Sequence, residues 1–388
     1  MIKINQLALL FVALVVCSVP SVFATSPSTT TDTLLVELAD GGPNFQFQVT
    51  LPDSYHQLPD KKYVVLFDFH PRSHAYLAGM HDWMSHNGDW PWLETIVITA
   101  PDENKLLGDM KSAAIETRGD TQLLDFLEHQ LLPAIDRQYR TNGFKIFSGF
   151  TGNAGLGLYT LINRPQLFNA YFIASPVLSQ DFAYVLADAP KKLADMQGQS
   201  RFLMMSTSDS GYEQGQLASF AQMEKILNTY ATDSLDYRVK RFDGSYYMTQ
   251  PVLATAYGIE LLFDDYHRPL AVDSDVAKQG AKAVVDYYQQ LSTNKYGFEV
   301  SAVSSLIQLA KHQTKQSSSA GMQTYLLAVK HYPQSATAHD ALAAAYAELK
   351  QYDNAIKHQQ LALDNTQHPF WINRYSKTIE SYRQLNVE

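Results

Sequence analysis

Gly149-Phe150-Thr151-Gly152-Asn153-Ala154 places a hydroxyl between small neighbours, after a strand-like run at 144–147 and before a helical run at 156–162. A hydroxyl held on a tight strand-to-helix turn can attack an acyl carbon, provided a base takes its proton and a third group orients that base. Thr151 stands at the nucleophile position of the G-x-S-x-G pattern, and Asn153 replaces its second glycine. The threonine methyl crowds both a strained backbone and the approach of a substrate. No histidine lies between His129 and His267, so an imidazole base would have to be His70, His74 or His267.

Around this turn the chain resembles the esterase family of α/β-hydrolases that includes esterase D and the enterochelin-esterase-like proteins. Leu131-Leu132-Pro133-Ala134-Ile135-Asp136-Arg137-Gln138-Tyr139-Arg140-Thr141 looks like the family's segment before the nucleophile strand. Asn163-Arg164-Pro165-Gln166-Leu167-Phe168-Asn169-Ala170 and Ala174-Ser175-Pro176 look like the segment after the turn, and Asp68 with the loop from Phe69 matches more loosely. The likeness runs over 34–267 and is strongest over 120–178. It implies an α/β-hydrolase fold with Thr151 as the nucleophile position. Counting back from Gly258 puts the catalytic histidine position at Tyr247, and the acid falls at Asp209 or Glu213 on the loop after the strand at 202–205. A phenol, with an ordinary pKa of about 10, is a poor base for a hydroxyl nucleophile at neutral pH. The expectation is a degenerate hydrolase that binds a small-molecule, acyl or sugar ligand. The alternative is an active carboxylic ester hydrolase or acyl transferase in which Thr151 works with a displaced histidine.

His70, His74, His81 and His86 crowd together with Asp68, Asp82 and Asp89, but at no recognised ligand spacing, so no metal and no cofactor are expected. His70 and Trp83 are candidate ligand-binding residues, with Trp90 and Trp92 nearby, because indole rings beside polar groups suit sugars and aromatic ligands. The glycines at 152, 155 and 157 lack the spaced acidic residue of a dinucleotide fingerprint.

Positioning such a turn takes a sheet. Residues 34–38 and 45–49 alternate apolar and polar, as half-buried antiparallel strands do. The runs at 63–67 and 95–99 are short, continuous and β-branched, as buried parallel strands are, and 144–147, 171–174 and 202–205 read as further strands. Helical spacing at 120–135, 156–162 and 214–230 alternates with them. Together they give an α/β domain over 34–268, a mainly parallel sheet with helices on both faces. Beyond it, 269–388 reads as all-helical. Ala338, Ala355 and Ala362 fall where a tetratricopeptide-like repeat has small residues, with Gly321 and Ala328 one period of about 34 residues earlier. A helical array of this kind offers a surface to a protein partner.

Composition bounds the rest. With 46% hydrophobic residues the chain can fill a large core, and a net charge of −9 argues against nucleic acid as its partner. Residues 1–24 have a cationic start, an apolar run too short to span a bilayer and an Ala24 cleavage site, the pattern of a secretory signal peptide. Residues 25–33 follow as a polar spacer. The expected address is periplasmic or secreted, without a transmembrane segment, and lipid anchoring at Cys17 is the alternative. Cys17 is the sole cysteine, so the mature chain would carry no thiol.

Overall fold

The computed structural model of the 388-residue chain describes residues 30–37, 44–86, 90–101 and 104–387. The expected signal peptide lies outside them. Eight strands form one sheet in the order β1-β2-β4-β3-β5-β6-β7-β8. They are β1 (Thr30–Val36), β2 (Phe45–Leu51), β3 (Tyr63–Asp68), β4 (Thr95–Thr99), β5 (Thr141–Phe150), β6 (Ala170–Ala174), β7 (Arg201–Thr207) and β8 (Leu235–Arg241). β1 and β2 pair antiparallel, β2 pairs antiparallel with β4, and all remaining pairs are parallel.

The strand pattern explains the layers. β3 to β7 are buried along their described lengths apart from the entry and exit of β5, because helices cover both faces. One face packs Phe67, Phe147, Tyr171 and Leu203 under the helices Gly152–Asn163 and Leu217–Tyr230. The other packs Leu66, Ile146, Phe172 and Met204 under Ser73–His86 and Gln250–Leu262.

Two elements differ from the sequence expectation. β1 begins at Thr30, so Thr30–Thr33, read as the end of the polar spacer, are ladder partners of Leu51 to Gln48. An edge strand needs only backbone pairing and one apolar face, which short polar residues permit. β8 has no counterpart in the sequence reading. Its Leu-Asp-Tyr-Arg-Val-Lys-Arg run is mostly exposed or half-exposed at the sheet edge, where charged residues guard against further pairing.

The C-terminal region is all helix. Val303–Thr314, Ser318–His331, Ala336–Glu348, Tyr352–Asp364 and Pro369–Leu385 pack as successive neighbours. Ala328, Ala338, Ala355 and Ala362 are all buried at the seams. At Gly321 an added Cβ would lie 1.9 Å from Thr314 Oγ1 and 2.8 Å from the Ala310 carbonyl oxygen, so only glycine lets those two helices approach. The array is fused to the sheet domain by aromatic packing. Tyr296 lies 5.7 Å from Phe144 and 6.1 Å from Phe263, centroid to centroid. Phe144 is near the start of β5, so the array is attached at the end of the sheet opposite Thr151. Among the described residues no helix is long and apolar enough to cross a membrane.

Candidate functional site

Thr151 joins β5 to the helix Gly152–Asn163 with φ 58° and ψ −121°. A β-branched residue at positive φ is a true outlier, costing about 1–3 kcal/mol, and persists only where its surroundings hold it. They do. The Thr151 N–H donates to the Ala174 carbonyl at 3.1 Å, and its own carbonyl accepts from Gly155 at 3.0 Å and Val177 at 3.1 Å. Gly149 is required as well, since a Cβ there would come within 2.8 Å of the Asn153 carbonyl oxygen. Asn153, in place of the second motif glycine, lies in the first turn of the helix.

Tyr247 occupies the 3-10 turn Tyr247–Thr249 just before the helix Gln250–Leu262. Its ring packs 4.9 Å from that of Phe150, the residue preceding Thr151, and stacks at 5.4 Å on Tyr212. Burial, with a contribution from the Glu213 charge, pushes its phenol pKa above the ordinary value, so it is a still weaker base at neutral pH.

The two acid candidates part company. Asp209 is exposed and accepts the Gly244 N–H at 2.7 Å, tying the loop after β7 to the loop after β8. Glu213 is buried and accepts hydroxyl protons from Thr207, at 2.9 Å, and from Ser208. Of the two, Glu213 is thus the inward-facing carboxylate, and its charge acts on Tyr247.

The three imidazoles proposed as displaced bases are dispersed. His267 lines a cavity with Ser54, Lys61, Trp90 and Glu94 at the starts of β3 and β4. The length of β3, about 17 Å at 3.3 Å per residue, separates that end from Thr151. His74 is buried, with Nε2 2.8 Å from the Thr50 hydroxyl and Nδ1 3.1 Å from the Thr99 hydroxyl, so both nitrogens are engaged. His70 alone follows a strand end beside β5. Its Nδ1 accepts the Arg72 N–H at 3.1 Å, which puts the proton of the neutral ring on Nε2, a donor rather than a base. Trp83 lies largely exposed on the helix Ser73–His86, and Trp92 is buried with its Nε1–H donating to Thr95 Oγ1 at 3.1 Å.

Two ionisable groups near the end of β3 stand out; the sequence reading gave Asp68 only a loose family match and did not single out Lys111. Asp68, at the end of β3, is buried and accepts the His70 N–H at 2.7 Å and the Ser148 hydroxyl at 2.9 Å. Burial dominates those bonds and pushes its carboxyl up to about 6. Lys111, on the helix Lys105–Glu116, has its ammonium 4.6 Å above the Phe69 ring, and burial lowers its pKa to about 8 despite the opposing Asp68 charge. The sequence signals only their types; their desolvation depends on which helices cover them. Among the described residues the one trio of potential metal ligands is Asp125, Glu128 and His129, and Arg164 already pairs with both of its carboxylates.

A mainly parallel sheet with a strained strand-to-helix turn at the end of a central strand defines an α/β-hydrolase. The Putative esterase family model matches residues 41–243. The chain belongs to this family. An IroE-like serine hydrolase from Shewanella oneidensis superposes with a TM-score of 0.57 at 19% identity, covering 74% of this chain and 95% of that one. An uncharacterised protein from Capnocytophaga ochracea superposes with a TM-score of 0.66 at 14% identity, covering 92% of this chain and all of its own, so the likeness extends into the helical array. No curated protein matches the chain.

Proposed function

We propose that this chain is an exported, non-hydrolytic member of the esterase family that binds a ligand at the Thr151 end of its sheet. The observation that carries the reading is the packing of Tyr247 against Phe150, which fills the family's base position with a phenol of raised pKa. An alcohol without a base to accept its proton is a weak nucleophile. The retained turn then holds Phe150 as the seat of Tyr247, and Glu213 serves as a buried anchor for the loop that carries Tyr212. The helical array, attached at the other end of the sheet, leaves the cleft uncovered and offers a separate surface to a protein partner.

The second reading is hydrolysis or acyl transfer at Thr151. It is favoured by the intact strained geometry at Thr151, with Lys111, whose pKa burial lowers to about 8, as its candidate base. Purified protein is assayed with p-nitrophenyl acetate and butyrate beside Thr151→Ala and Lys111→Met variants. The binding reading expects the same background rate from all three. Turnover lost with Thr151→Ala would end it, and loss with Lys111→Met as well would install the second.

A further inference from the structure

Next to Thr151 the loops after β7 and β8 enclose an open cleft of about 640 Å3, lined by Asp209, Ser210, Tyr212, Ser245, Tyr246 and Tyr247, with Gly211 and Gly244 as its remaining lining. That volume falls in the range of small-ligand sites. Tyr212 and Tyr246 are 84% and 85% exposed, an unusual state for two large aromatic residues flanking one cleft. Tyr212 is not loose on its loop. Its ring stacks on Tyr247 at 26° between planes, and Tyr247 in turn rests on Phe150. An aromatic ladder therefore climbs from the residue before Thr151 out to solvent. The loops beneath are fixed by the Asp209–Gly244 bond and by Gln214 Nε2 donating to the Asp209 carbonyl at 2.9 Å.

Resting on the binding reading above, we propose that this cleft takes a neutral glycan, with a pyranose ring laid on the Tyr212 face and its hydroxyls on Asp209, Ser210 and Ser245. Three features select this class. The lining contains a carboxylate and no cation, and the buried Glu213 lies close enough to act on Tyr247, so carboxylates and phosphates are repelled. Arg241, at the end of β8, is held by Asp243 at 2.9 Å. The Tyr212 and Tyr247 rings are nearly parallel and present one flat face, whereas an ammonium cage needs faces turned around the cation. A flat aromatic face beside hydroxyl and carboxylate acceptors matches a sugar, which is apolar on its C–H face and polar at its rim.

The full mature chain is titrated by calorimetry with neutral trisaccharides of glucose, xylose and N-acetylglucosamine, and with choline and benzoate as competing classes. The expected result is saturable binding of at least one trisaccharide, weakened about three- to tenfold by Tyr212→Ala and by Tyr246→Ala. Both side chains are so exposed that neither change should disturb the core, which thermal melting of the variants checks. Tyr230→Ala, at the exposed far end of the helix Leu217–Tyr230, leaves binding unchanged. No binding by any trisaccharide, or binding indifferent to both tyrosines, overturns the proposal. Choline or benzoate binding through Tyr212 while the sugars fail overturns the glycan class yet keeps the ligand-binding reading. Thr151-dependent ester turnover removes that reading through a different assay, so the two failures are read apart.

Discussion

The Tyr247 and Phe150 rings meet at 4.9 Å, so the side chain at the family's base position is anchored on the residue that leads into Thr151. A histidine there would have a buried acid, Glu213, within electrostatic range and a hydroxyl one residue beyond Phe150. On the proposed reading, Thr151 and Tyr247 are the two positions where the family's chemistry is altered.

It follows that hydrolysis is restorable by two substitutions together. Thr151→Ser removes the crowding methyl, and Tyr247→His supplies the base. General-base catalysis is worth about 10²–10⁴-fold, and it is realised only when both partners are present. The double variant is expected to hydrolyse p-nitrophenyl acetate at least about 100-fold above the wild type, while each single variant stays within a few-fold of it. Comparable activity in Thr151→Ser alone would mean that a base already serves the turn.

Asp68 makes stability depend on pH in an unusual direction. Its carboxyl rises from 3.8 to about 6 on folding because burial outweighs the His70 and Ser148 hydrogen bonds. The folded state thus holds a proton that the unfolded chain has released between those values. The contribution of this group to stability is fully present below pH 3.8 and is lost as pH rises through about 6. A shift of about two units corresponds to about 3 kcal/mol. Asp68→Asn, neutral throughout, escapes that loss. The melting temperature of the variant minus that of the wild type should climb by several degrees between pH 4 and 7. A flat difference would show that Asp68 is ordinary.

Gly321→Ala tests how closely the repeat-like helices pack. Alanine is favoured over glycine in a helix by about 1 kcal/mol. Against this, the added methyl meets the Ala310 carbonyl oxygen at 2.8 Å, and backbone cannot swing aside as the Thr314 hydroxyl can. Overpacking of this kind costs about 1–3 kcal/mol, so the net expectation is destabilisation. Urea titration followed by circular dichroism would register it as an earlier loss of helix. A stabilised variant would mean that the seam is loose.

The parallel core was legible because β-branched, continuously apolar runs such as 95–99 suit strands covered on both faces. β8 was not, since an edge strand buries little and its charges read as loop. The helix Ser73–His86 has no counterpart among the helices read from the sequence; it packs along β4, with His74, Leu77, His81 and Ser85 buried at helical spacing, a periodicity that was there to be found. The choice between Asp209 and Glu213 was open in the sequence because both lie on one loop. Which carboxylate turns inward depends on where Thr207 and Ser208 sit at the end of β7.

The division at residue 268 marks a change of architecture, and the packing predicts that it is not a folding boundary. Tyr296 and Phe298 close over Phe144 and Phe263, and the Tyr296 hydroxyl donates to the Leu262 carbonyl at 2.9 Å. Phe144, Leu262 and Phe263 are buried under this cover. Exposing a large apolar side chain costs about 1.5–3 kcal/mol, so uncovering three of them removes much of the 5–15 kcal/mol, roughly, that a domain has to spare. A chain ending at residue 268 should therefore bind a hydrophobic dye and melt without a cooperative transition. A chain ending at residue 316 keeps the aromatic seam and the helix Val303–Thr314, and should melt cooperatively. Cooperative melting of the shorter chain would instead make the sheet domain self-sufficient and the array a dispensable appendage.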